Sequence, residues 1–241
     1  MLRIVSQTDT GVMRQQNQDC AKSGALADGT IWSVVCDGMG GAVGGAIASK
    51  LVVDAFEQSV DEGLDQLPSG SLKNFLEVAI SRANNLMIDK IMEQPELAGM
   101  GTTLVACVVK DSVAHIAHVG DSRAYLLQKD DIVQLTRDHS MVQVLVDQGQ
   151  ISPEEAKNHP KRNVITRAVG INRNIDIDYD EIPLQDGDIL LLCTDGVTGH
   201  IDDRELWQLV REHDFFDAAQ ALIDEANARG GSDNSTAVLI G

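Results

Sequence analysis

Four aspartates each lie beside an apolar run of the kind that forms a buried strand. Asp37, Asp121 and Asp195 follow such runs, and Asp233 comes shortly before the last one in the chain. Because strand ends meet at the edge of a sheet, carboxylates from several strands can approach one ion there. Mg²⁺ and Mn²⁺ prefer carboxylate oxygens as ligands and retain several waters. A turn or a helix cap is the better explanation of any single aspartate, but the set of four favours a divalent-cation site.

Asp37 is the candidate for a carboxylate that two cations share. The run Gly38–Gly41 that follows it contains three glycines, which let the backbone turn sharply, approach a ligand closely and present a carbonyl oxygen. Asp195 and Asp233 would complete the ligands of one ion from neighbouring strands. Two cations a few ångströms apart can activate a water that lies between them.

Arg14 indicates which kind of substrate such a site would bind. It lies in a polar loop that ends in Asp19, and a guanidinium group can bind two oxygens of a phosphate at once. Alone, Arg14 would be an ordinary surface arginine. Beside a two-metal site, it indicates phosphoryl chemistry.

Helices and strands are predicted in separate blocks of the first half of the chain. Strands are predicted over residues 2–8 and 31–36, and helices over residues 42–60 and 71–93. Residues 102–135 contain short apolar runs joined by tight turns, which is typical of a β-meander. Two helices followed by consecutive strands favour segregated layers rather than alternating βαβ units.

The second half contains a helical insertion between strands. Residues 138–170 interrupt the strand pattern, and Ser152-Pro153-Glu154-Glu155 is typical of a capped helix start. Ile175, Ile177 and Tyr179 alternate with aspartates and predict a half-buried strand. The remaining predicted elements are a strand over residues 188–194, a helix capped by Asp202, a helix over residues 215–229 and a strand over residues 236–240.

Composition limits the classes of protein to consider. The 241 residues fit one domain with a substantial core. The 37 acidic and 19 basic residues give a formal charge of −18, and this field repels nucleic acid and anionic lipid but attracts divalent cations. Four cysteines without CxxC spacing fit a reducing compartment, and neither a signal peptide nor an apolar run of membrane-spanning length is found. We therefore predict a cytoplasmic protein.

Three other ligand-binding loops fit the sequence poorly. A dinucleotide fingerprint that begins at Gly38 would need glycine at its sixth position, where Val43 stands, and the lysine of a Walker loop is absent. The alternating aspartates that begin at Asp176 do not form an EF-hand, because Glu181 and Gly187 replace its required glycine and glutamate. A nucleotide-binding loop is therefore disfavoured, and an EF-hand is rejected.

A set of short motifs, taken in order, resembles one known family. The motifs are Arg14-x-x-Asn17-Gln18-Asp19, Asp37-Gly38-Met39-Gly40-Gly41, Gly101-Thr102-Thr103, His118-Val119-Gly120-Asp121-Ser122-Arg123, Asp138-His139-Ser140, Thr194-Asp195-Gly196 and Asp233-Asn234. They are similar to the motifs of the metal-dependent serine/threonine protein phosphatases (PPM type, or protein phosphatase 2C) in their compact bacterial form. Each motif is weak alone, but the ordered set is highly specific and covers essentially the whole chain.

The resemblance implies an α+β fold. This fold is a four-layer αββα sandwich, in which helices flank two antiparallel sheets and the metal centre lies at one end. Residues 1–241 would form a single phosphatase domain. The insertion at about residues 138–170 would be a mobile flap beside the site that contributes to substrate choice.

The resemblance also implies roles for the residues that bind the ions. Asp37 would bridge two Mn²⁺ or Mg²⁺ ions. Asp195 and Asp233 would bind the first ion, and the carbonyl group of Gly38 would bind the second. Asp121, together with Asp195, would hold a third, weaker ion.

Two further residues receive roles from the same resemblance. Asp19 would orient metal-bound waters from behind the ligands, and Arg14 would bind the phosphate group. The implied activity is hydrolysis of phosphoserine and phosphothreonine in proteins by a bridging water that the two ions activate. No covalent phosphoenzyme is needed, so none of the four cysteines needs to act as a nucleophile.

The implied partners are phosphorylated cytoplasmic proteins. A cognate serine/threonine kinase of the eukaryotic-like type, together with its other substrates, would complete a bacterial signalling pair, and the phosphatase itself would act as a monomer. The alternative function is that of a catalytically weak or inactive metal-binding module that recognises phosphoproteins.

One departure from the family pattern affects the proton donor. Many relatives carry a histidine in or just after the glycine loop, where this chain has Met39 and Ala42. We expect His118, which lies in a strand, to be structural, and His139 to be a weaker candidate for the general acid than a metal-bound water. Slower turnover is the expected consequence.

Overall fold

The apolar runs of the sequence form the strands of two antiparallel sheets. A computed structural model describes residues 2–241, and within them the chain forms eleven strands and seven helices. The strands are β1 (Ile4–Asp9), β2 (Asp19–Ala25), β3 (Ile31–Met39), β4 (Gly101–Thr102), β5 (Leu104–Lys110), β6 (Val113–Val119), β7 (Arg123–Leu127), β8 (Ile132–Gln134), β9 (Asp178–Pro183), β10 (Ile189–Cys193) and β11 (Ser235–Ile240). The helices are α1 (Gly41–Asp61), α2 (Leu72–Glu93), α3 (Met141–Asp147), α4 (Pro153–Lys157), α5 (Asp195–Thr198), α6 (Asp203–Glu212) and α7 (Phe215–Ala228).

Each sheet is built from strands that are distant in the sequence. One sheet has the order β1-β11-β10-β7-β8, and the other has the order β2-β3-β5-β6-β9, with β4 paired to β3. Strands β3 and β5 are central in their sheet, and β10 is central in the other. Their side chains are therefore buried on both faces, which explains why they read as continuous apolar runs rather than as alternating ones.

Three apolar clusters separate the four layers. One lies between α1, α2 and the β3–β5 sheet, and includes Phe56 and Leu76. A second lies between the β10–β11 sheet and α6 and α7, and includes Leu191 and Leu222. The third, which includes Val105, fills the space between the two sheets. The predicted αββα sandwich with two antiparallel sheets is confirmed.

Capping boxes mark the starts of two helices, as the sequence predicts. Asp202 and Glu205 form a capping box at the start of α6, and Ser152 and Glu155 form one at the start of α4. In each box the cap side chain accepts a hydrogen bond from the third helical backbone N–H, and the glutamate carboxylate accepts one from the cap N–H. The helix capped by Asp202 was predicted from this spacing.

The structure differs from the sequence-based expectation in two strands. β2 begins where the predicted polar loop ends, in a stretch for which the sequence predicts no strand, because its residues Lys22, Ser23 and Gly24 do not form an apolar run. It is an edge strand that pairs only with β3, so its outer residues stay half-exposed. The strand predicted from Ile175 begins later, at Asp178, since residues 175–177 pack against the first cluster without pairing in the sheet.

Within the described residues, helices of sufficient length and apolarity to cross a membrane are not found.

Candidate active site

Strand ends bring the predicted site residues to one end of the sandwich. Asp19 opens β2 and lies directly opposite Asp37 on β3. Asp121 lies in the turn that leads from β6 in this sheet to β7 in the other sheet. Asp195 starts α5 immediately after β10, and Asp233 lies in the loop that leads into β11, the neighbour of β10. Both sheets therefore contribute carboxylates to one place.

The site is an open cavity of about 570 Å³, which we call the acidic cavity. The predicted residues that line it are Arg14, Asp37, Gly38, Asp121, Asp195 and Asp233. The seventh predicted residue, Asp19, is buried beside Asp37. The sequence-based selection therefore converges on a single cavity.

The backbone around Asp37 is held by the Gly101-Thr102-Thr103 motif. The N–H group of Asp37 donates to Thr103 Oγ1 at 3.0 Å. Its carbonyl oxygen accepts from the N–H group of Thr103 at 2.9 Å and from Thr102 Oγ1 at 2.7 Å. Three hydrogen bonds thus fix the strand end that presents the candidate bridging carboxylate.

The glycine loop allows α1 to pack directly on this strand end. A Cβ atom on Gly38 would overlap the carbonyl oxygen of Gly45, and one on Gly45 would lie 2.6 Å from the carbonyl oxygen of Gly38. The N–H group of Gly38 donates to the carbonyl oxygen of Gln18 at 3.1 Å. Only glycine therefore fits at these two positions, and the close packing fixes the backbone of Gly38, which lines the cavity.

Burial and mutual repulsion raise the pKa values of the carboxyl groups. Burial is the larger cause for Asp37, whose pKa lies well above its usual range, and the charges of neighbouring aspartates add to it. The same causes raise the pKa of Asp121 to about 8 and the pKa of Asp195. Carboxylates that are this hard to ionise together need protons or a cation to compensate them.

Two buried carboxylate oxygens have no hydrogen-bond partner among the residues that the structure describes. They are Oδ1 of Asp19 and Oδ1 of Asp195. A buried, unpaired carboxylate oxygen is costly, and it marks the position of a missing ligand or ordered water. The donor set consists of oxygen atoms alone, which is the set that Mn²⁺ and Mg²⁺ prefer. The residues present therefore fit a divalent-metal site.

Asp19 is held in place by two buried hydroxyl groups from the other sheet. Its Oδ2 atom accepts hydrogen bonds from Thr194 Oγ1 at 2.8 Å and from Thr236 Oγ1 at 2.7 Å. These hydrogen bonds lower the pKa of Asp19, but burial outweighs them and raises it to about 7. Thr236 is a site residue that sequence reasoning missed, because it reads simply as the first residue of an apolar run.

Asn234 connects the loop of Arg14 to β11. Its Oδ1 atom accepts from the N–H group of Gln18 at 2.8 Å, and its Nδ2 atom donates to the carbonyl oxygens of Thr10 and Gln16 at 2.8 and 3.0 Å. Asn234 is buried. Its three hydrogen bonds fix the loop that carries Arg14 across the mouth of the acidic cavity.

The comparisons with known proteins agree with this geometry. Residues 12–236 match the family model described as Protein phosphatase 2C. The chain belongs to the protein phosphatase 2C family. The serine/threonine phosphatase stp of Listeria innocua is 37% identical to it over 234 residues, which are 97% of this chain and 93% of the relative. The resemblance based on the motifs is thus confirmed.

Solved structures of the family share the fold over the whole chain. The serine/threonine phosphatase Stp1 from Staphylococcus aureus superposes with a TM-score of 0.95 and is 36% identical, covering 100% of this chain and 95% of that chain. The catalytic domain of the phosphatase PstP, in complex with two manganese ions, superposes with a TM-score of 0.88 at 33% identity and covers 99% and 97% of the two chains.

In this phosphatase the segment 138–170, which we call the flap, is anchored at both ends beside the acidic cavity. Its two ends pair with each other through a bridge between Ser140 and Ile165. The N–H group of His139 donates to the carbonyl oxygen of Gly120, and the N–H group of Gly120 donates to His139 Nδ1. The flap is therefore tied to the turn that carries Asp121.

A second set of candidate metal ligands lies at the base of the flap. One ligand atom each of His118, His139 and Asp178 lie within 4.8 Å of one another. The guanidinium group of Arg167 already contacts this set, at 2.7 Å from Asp178 Oδ1 and 3.1 Å from His139 Nε2. A cationic group in that position opposes a metal ion, so we interpret the set as a polar link between the flap and β9.

The histidines do not face the reacting groups. None of the described residues that line the acidic cavity is a histidine. His118 is buried, its Nε2 atom lies 2.9 Å from the carbonyl oxygen of Arg137, and its ring stacks on that of His139. This geometry agrees with the structural role expected for His118, and Met39 of the glycine loop lines the cavity.

Proposed function

We propose that the acidic cavity hydrolyses phosphoserine and phosphothreonine in proteins with the help of Mn²⁺ or Mg²⁺. The observation that carries this proposal is the convergence of Asp37, Asp195 and Asp233 on one open cavity beside Arg14. Burial and neighbouring charges raise the pKa values of Asp37 and Asp195, and Oδ1 of Asp195 has no hydrogen-bond partner among the described residues. The family membership of the chain supports the same reaction. Catalytically weak recognition is not favoured, since the acidic residues and the arginine that the reaction needs are all present.

The residues of the cavity divide between holding the ions and holding the substrate. Asp37, the carbonyl group of Gly38, Asp195 and Asp233 would hold two ions, and Asp121 with Asp195 would hold a third, weaker one. When bound, such ions lower the pKa of a water between them and neutralise the charge of the phosphate.

Arg14 and Asp19 act on the substrate and on the water. Arg14 would bind two phosphate oxygens through its guanidinium group and so align the phosphorus atom for attack from the opposite side. The Oδ2 atom of Asp19 accepts hydrogen bonds from Thr194 and Thr236, while its Oδ1 atom has no partner among the described residues. Oδ1 can therefore accept a hydrogen bond from a water in the cavity.

We also propose the setting in which this reaction takes place. Residues 1–241 act as a single phosphatase domain, as a monomer in the cytoplasm. The four cysteines are free thiols, which fits a reducing compartment. The substrates are phosphorylated proteins, among them those modified by a cognate serine/threonine kinase of the eukaryotic-like type.

The test is phosphate release from a phosphothreonine peptide in the presence of Mn²⁺, of Mg²⁺ or of EDTA. Asp37→Asn and Asp233→Asn should each lower kcat/KM by at least about 1,000-fold, because each removes a carboxylate that holds an ion. Asp130→Asn is the matched control, since Asp130 is exposed and does not line the cavity. Mn²⁺ binding by calorimetry without any turnover would instead establish the inactive recognition module.

A further inference from the structure

The charges of the flap are divided between its two halves. The acidic residues of the flap all precede residue 156, whereas the second half of the flap and the residues that follow it, 156–175 together, contain five cationic side chains and no aspartate or glutamate. The cationic residues are Lys157, Lys161, Arg162, Arg167 and Arg173. In a chain with a formal charge of −18 and only 19 lysines and arginines, such a segment is a local reversal of sign.

Most acidic residues of the flap already have partners. Asp138 forms an ion pair with Arg123, at 2.7 Å from its Nη2 atom, and Asp147 pairs with Arg137. Glu155 accepts a hydrogen bond from the N–H group of Ser152 within its capping box. These carboxylates are therefore not free to neutralise the cationic half.

Three of the five cationic residues have no such partner. Arg167 pairs with Asp178 and Arg173 with Asp89. Lys157, Lys161 and Arg162 are exposed, and no carboxylate of the described part of the chain lies within ion-pair distance of them. We call these three residues the cationic run.

The cationic run lies next to the acidic cavity. Hydrogen bonds from Arg162 N to His159 O and from Val164 N to Lys161 O fold residues 159–164 into tight turns. Asn163, the next residue after the run, lines the cavity. An extended peptide advances about 3.3 Å per residue, so a group that contacts Arg162 or Lys161 lies about two to four residues from a phosphoresidue in the cavity.

We propose that the cationic run binds an acidic segment of the phosphoprotein substrate, within about four residues of the phosphoserine or phosphothreonine. This inference rests on the proposed function, because it assigns a substrate preference to the same site. Charge complementarity selects the occupant: elsewhere the acidic surface repels such a segment, and at the cationic run it finds unpaired lysine and arginine side chains.

The experiment compares three phosphothreonine peptides. They carry acidic, neutral or basic residues at the positions two to four residues before and after the phosphothreonine. With the wild type and Mn²⁺, kcat/KM for the acidic peptide should exceed that for the neutral peptide by about 5- to 20-fold. This is the factor expected when two or three exposed ion pairs each contribute their usual small free energy. The preference should decrease in 0.5 M NaCl, since salt screens exposed charges.

A pair of charge-reversal variants separates the local effect from the effect of net charge. K161E/R162E should abolish or invert the preference for the acidic peptide. K129E/R204E makes the same change of charge at exposed residues that do not line the cavity, and it should keep the preference. Circular dichroism of both variants checks that they are folded.

The outcomes distinguish this inference from the proposed function. Equal kcat/KM for acidic and neutral peptides in the wild type, or an unchanged preference in K161E/R162E, would overturn the role of the cationic run. A wild-type protein that hydrolyses none of the three peptides would overturn the proposed function itself. A preference for the basic peptide would show that the overall negative field governs binding instead.

Discussion

Arg14 and Asp233 form an ion pair at the mouth of the acidic cavity, with Nη2 of the arginine 2.7 Å from Oδ2 of the aspartate. The Nε atom of Arg14 also donates to the carbonyl oxygen of Ser232 at 3.4 Å. The side chain of Arg14 is nevertheless 49% exposed. A candidate phosphate-binding group is thus held beside a candidate metal ligand while it stays accessible to substrate.

Removal of Arg14 should weaken substrate use much more than metal binding. We expect Arg14→Ala to lower kcat/KM for a phosphopeptide by about 100-fold, because two charge-assisted hydrogen bonds to phosphate are lost. Arg14→Lys keeps the charge but loses the planar fork, and should cost about tenfold. Mn²⁺ affinity, measured by calorimetry, should stay the same or increase, since a cation that competes for Asp233 has been removed. A parallel loss of Mn²⁺ affinity would contradict this separation of roles.

Removal of the hydroxyl group of Thr236, which contacts Asp19, should lower turnover more than removal of the more distant hydroxyl group of Thr8. Thr236 Oγ1 donates to Asp19, and Thr8 Oγ1 lies 2.7 Å from Thr236 Oγ1, one step further away. We expect Thr236→Val to lower kcat by about 10- to 100-fold, and Thr8→Val to have a smaller effect. The measurement is kcat at saturating Mn²⁺, with the thermal midpoint as a check on folding. Equal effects of the two variants would argue for a purely structural network.

Stability of the metal-free protein should fall as the pH rises. The pKa of Asp121 is raised to about 8 and that of Asp19 to about 7, against about 3.9 for aspartate in an unfolded chain. The folded state therefore binds protons more tightly, and the stability that this provides is lost between about pH 4 and pH 8. We expect the thermal midpoint of chelator-treated protein to be several degrees higher at pH 6 than at pH 8.

Two measurements isolate the cause of this pH dependence. Asp121→Asn should flatten the change between pH 6 and pH 8, because the variant lacks one of the titrating groups. Added Mn²⁺ should raise the midpoint more at pH 8 than at pH 6, because the ion competes with protons for the same oxygens. A midpoint that is independent of pH in the metal-free wild type would contradict the raised pKa values that burial and, secondarily, neighbouring aspartates cause.

The sequence was most informative where one residue type has one physical explanation. Asp37 and Asp195 end strongly apolar central strands, and their position at the sheet edge follows from that pattern. The capping boxes of Ser152 and Asp202 likewise report a helix start directly. The aspartates at the strand ends were therefore predictable from spacing and residue type, whereas the four-layer αββα arrangement and the role of Asp19 followed only from the resemblance to the family.

The missed features depend on contacts between distant parts of the chain. β2 becomes a strand only because β3 offers it an edge, and its own residues are too polar to indicate this. Thr236 acquires its role from Asp19, which is 217 residues away in the sequence. The cationic run was visible as lysines and an arginine, but its position beside the acidic cavity depends on the turns of residues 159–164.

The close packing of α1 on the glycine loop should make the site sensitive to a single methyl group. A Cβ atom on Gly38 would overlap the carbonyl oxygen of Gly45 and would lie 2.7 Å from that of Gln18. Since both neighbours are backbone atoms, Gly38→Ala must move the strand end that carries Asp37. We expect a loss of about 2 kcal/mol or more in the free energy of unfolding, together with a decrease of at least about tenfold in Mn²⁺ affinity.

Gly70→Ala is the control for this substitution. Gly70 lies in a short 3-10 helix (Ser69–Ser71) with no atom within 4 Å of the added methyl group, so the effect of Gly70→Ala should stay within about 0.5 kcal/mol. Chemical denaturation and calorimetry with Mn²⁺ on both variants test the argument. If Gly38→Ala retained wild-type Mn²⁺ affinity, the carbonyl group of Gly38 and the adjacent carboxylate of Asp37 would not depend on this close approach. The two glycines thus separate the effect of a tight backbone contact from that of the methyl group itself.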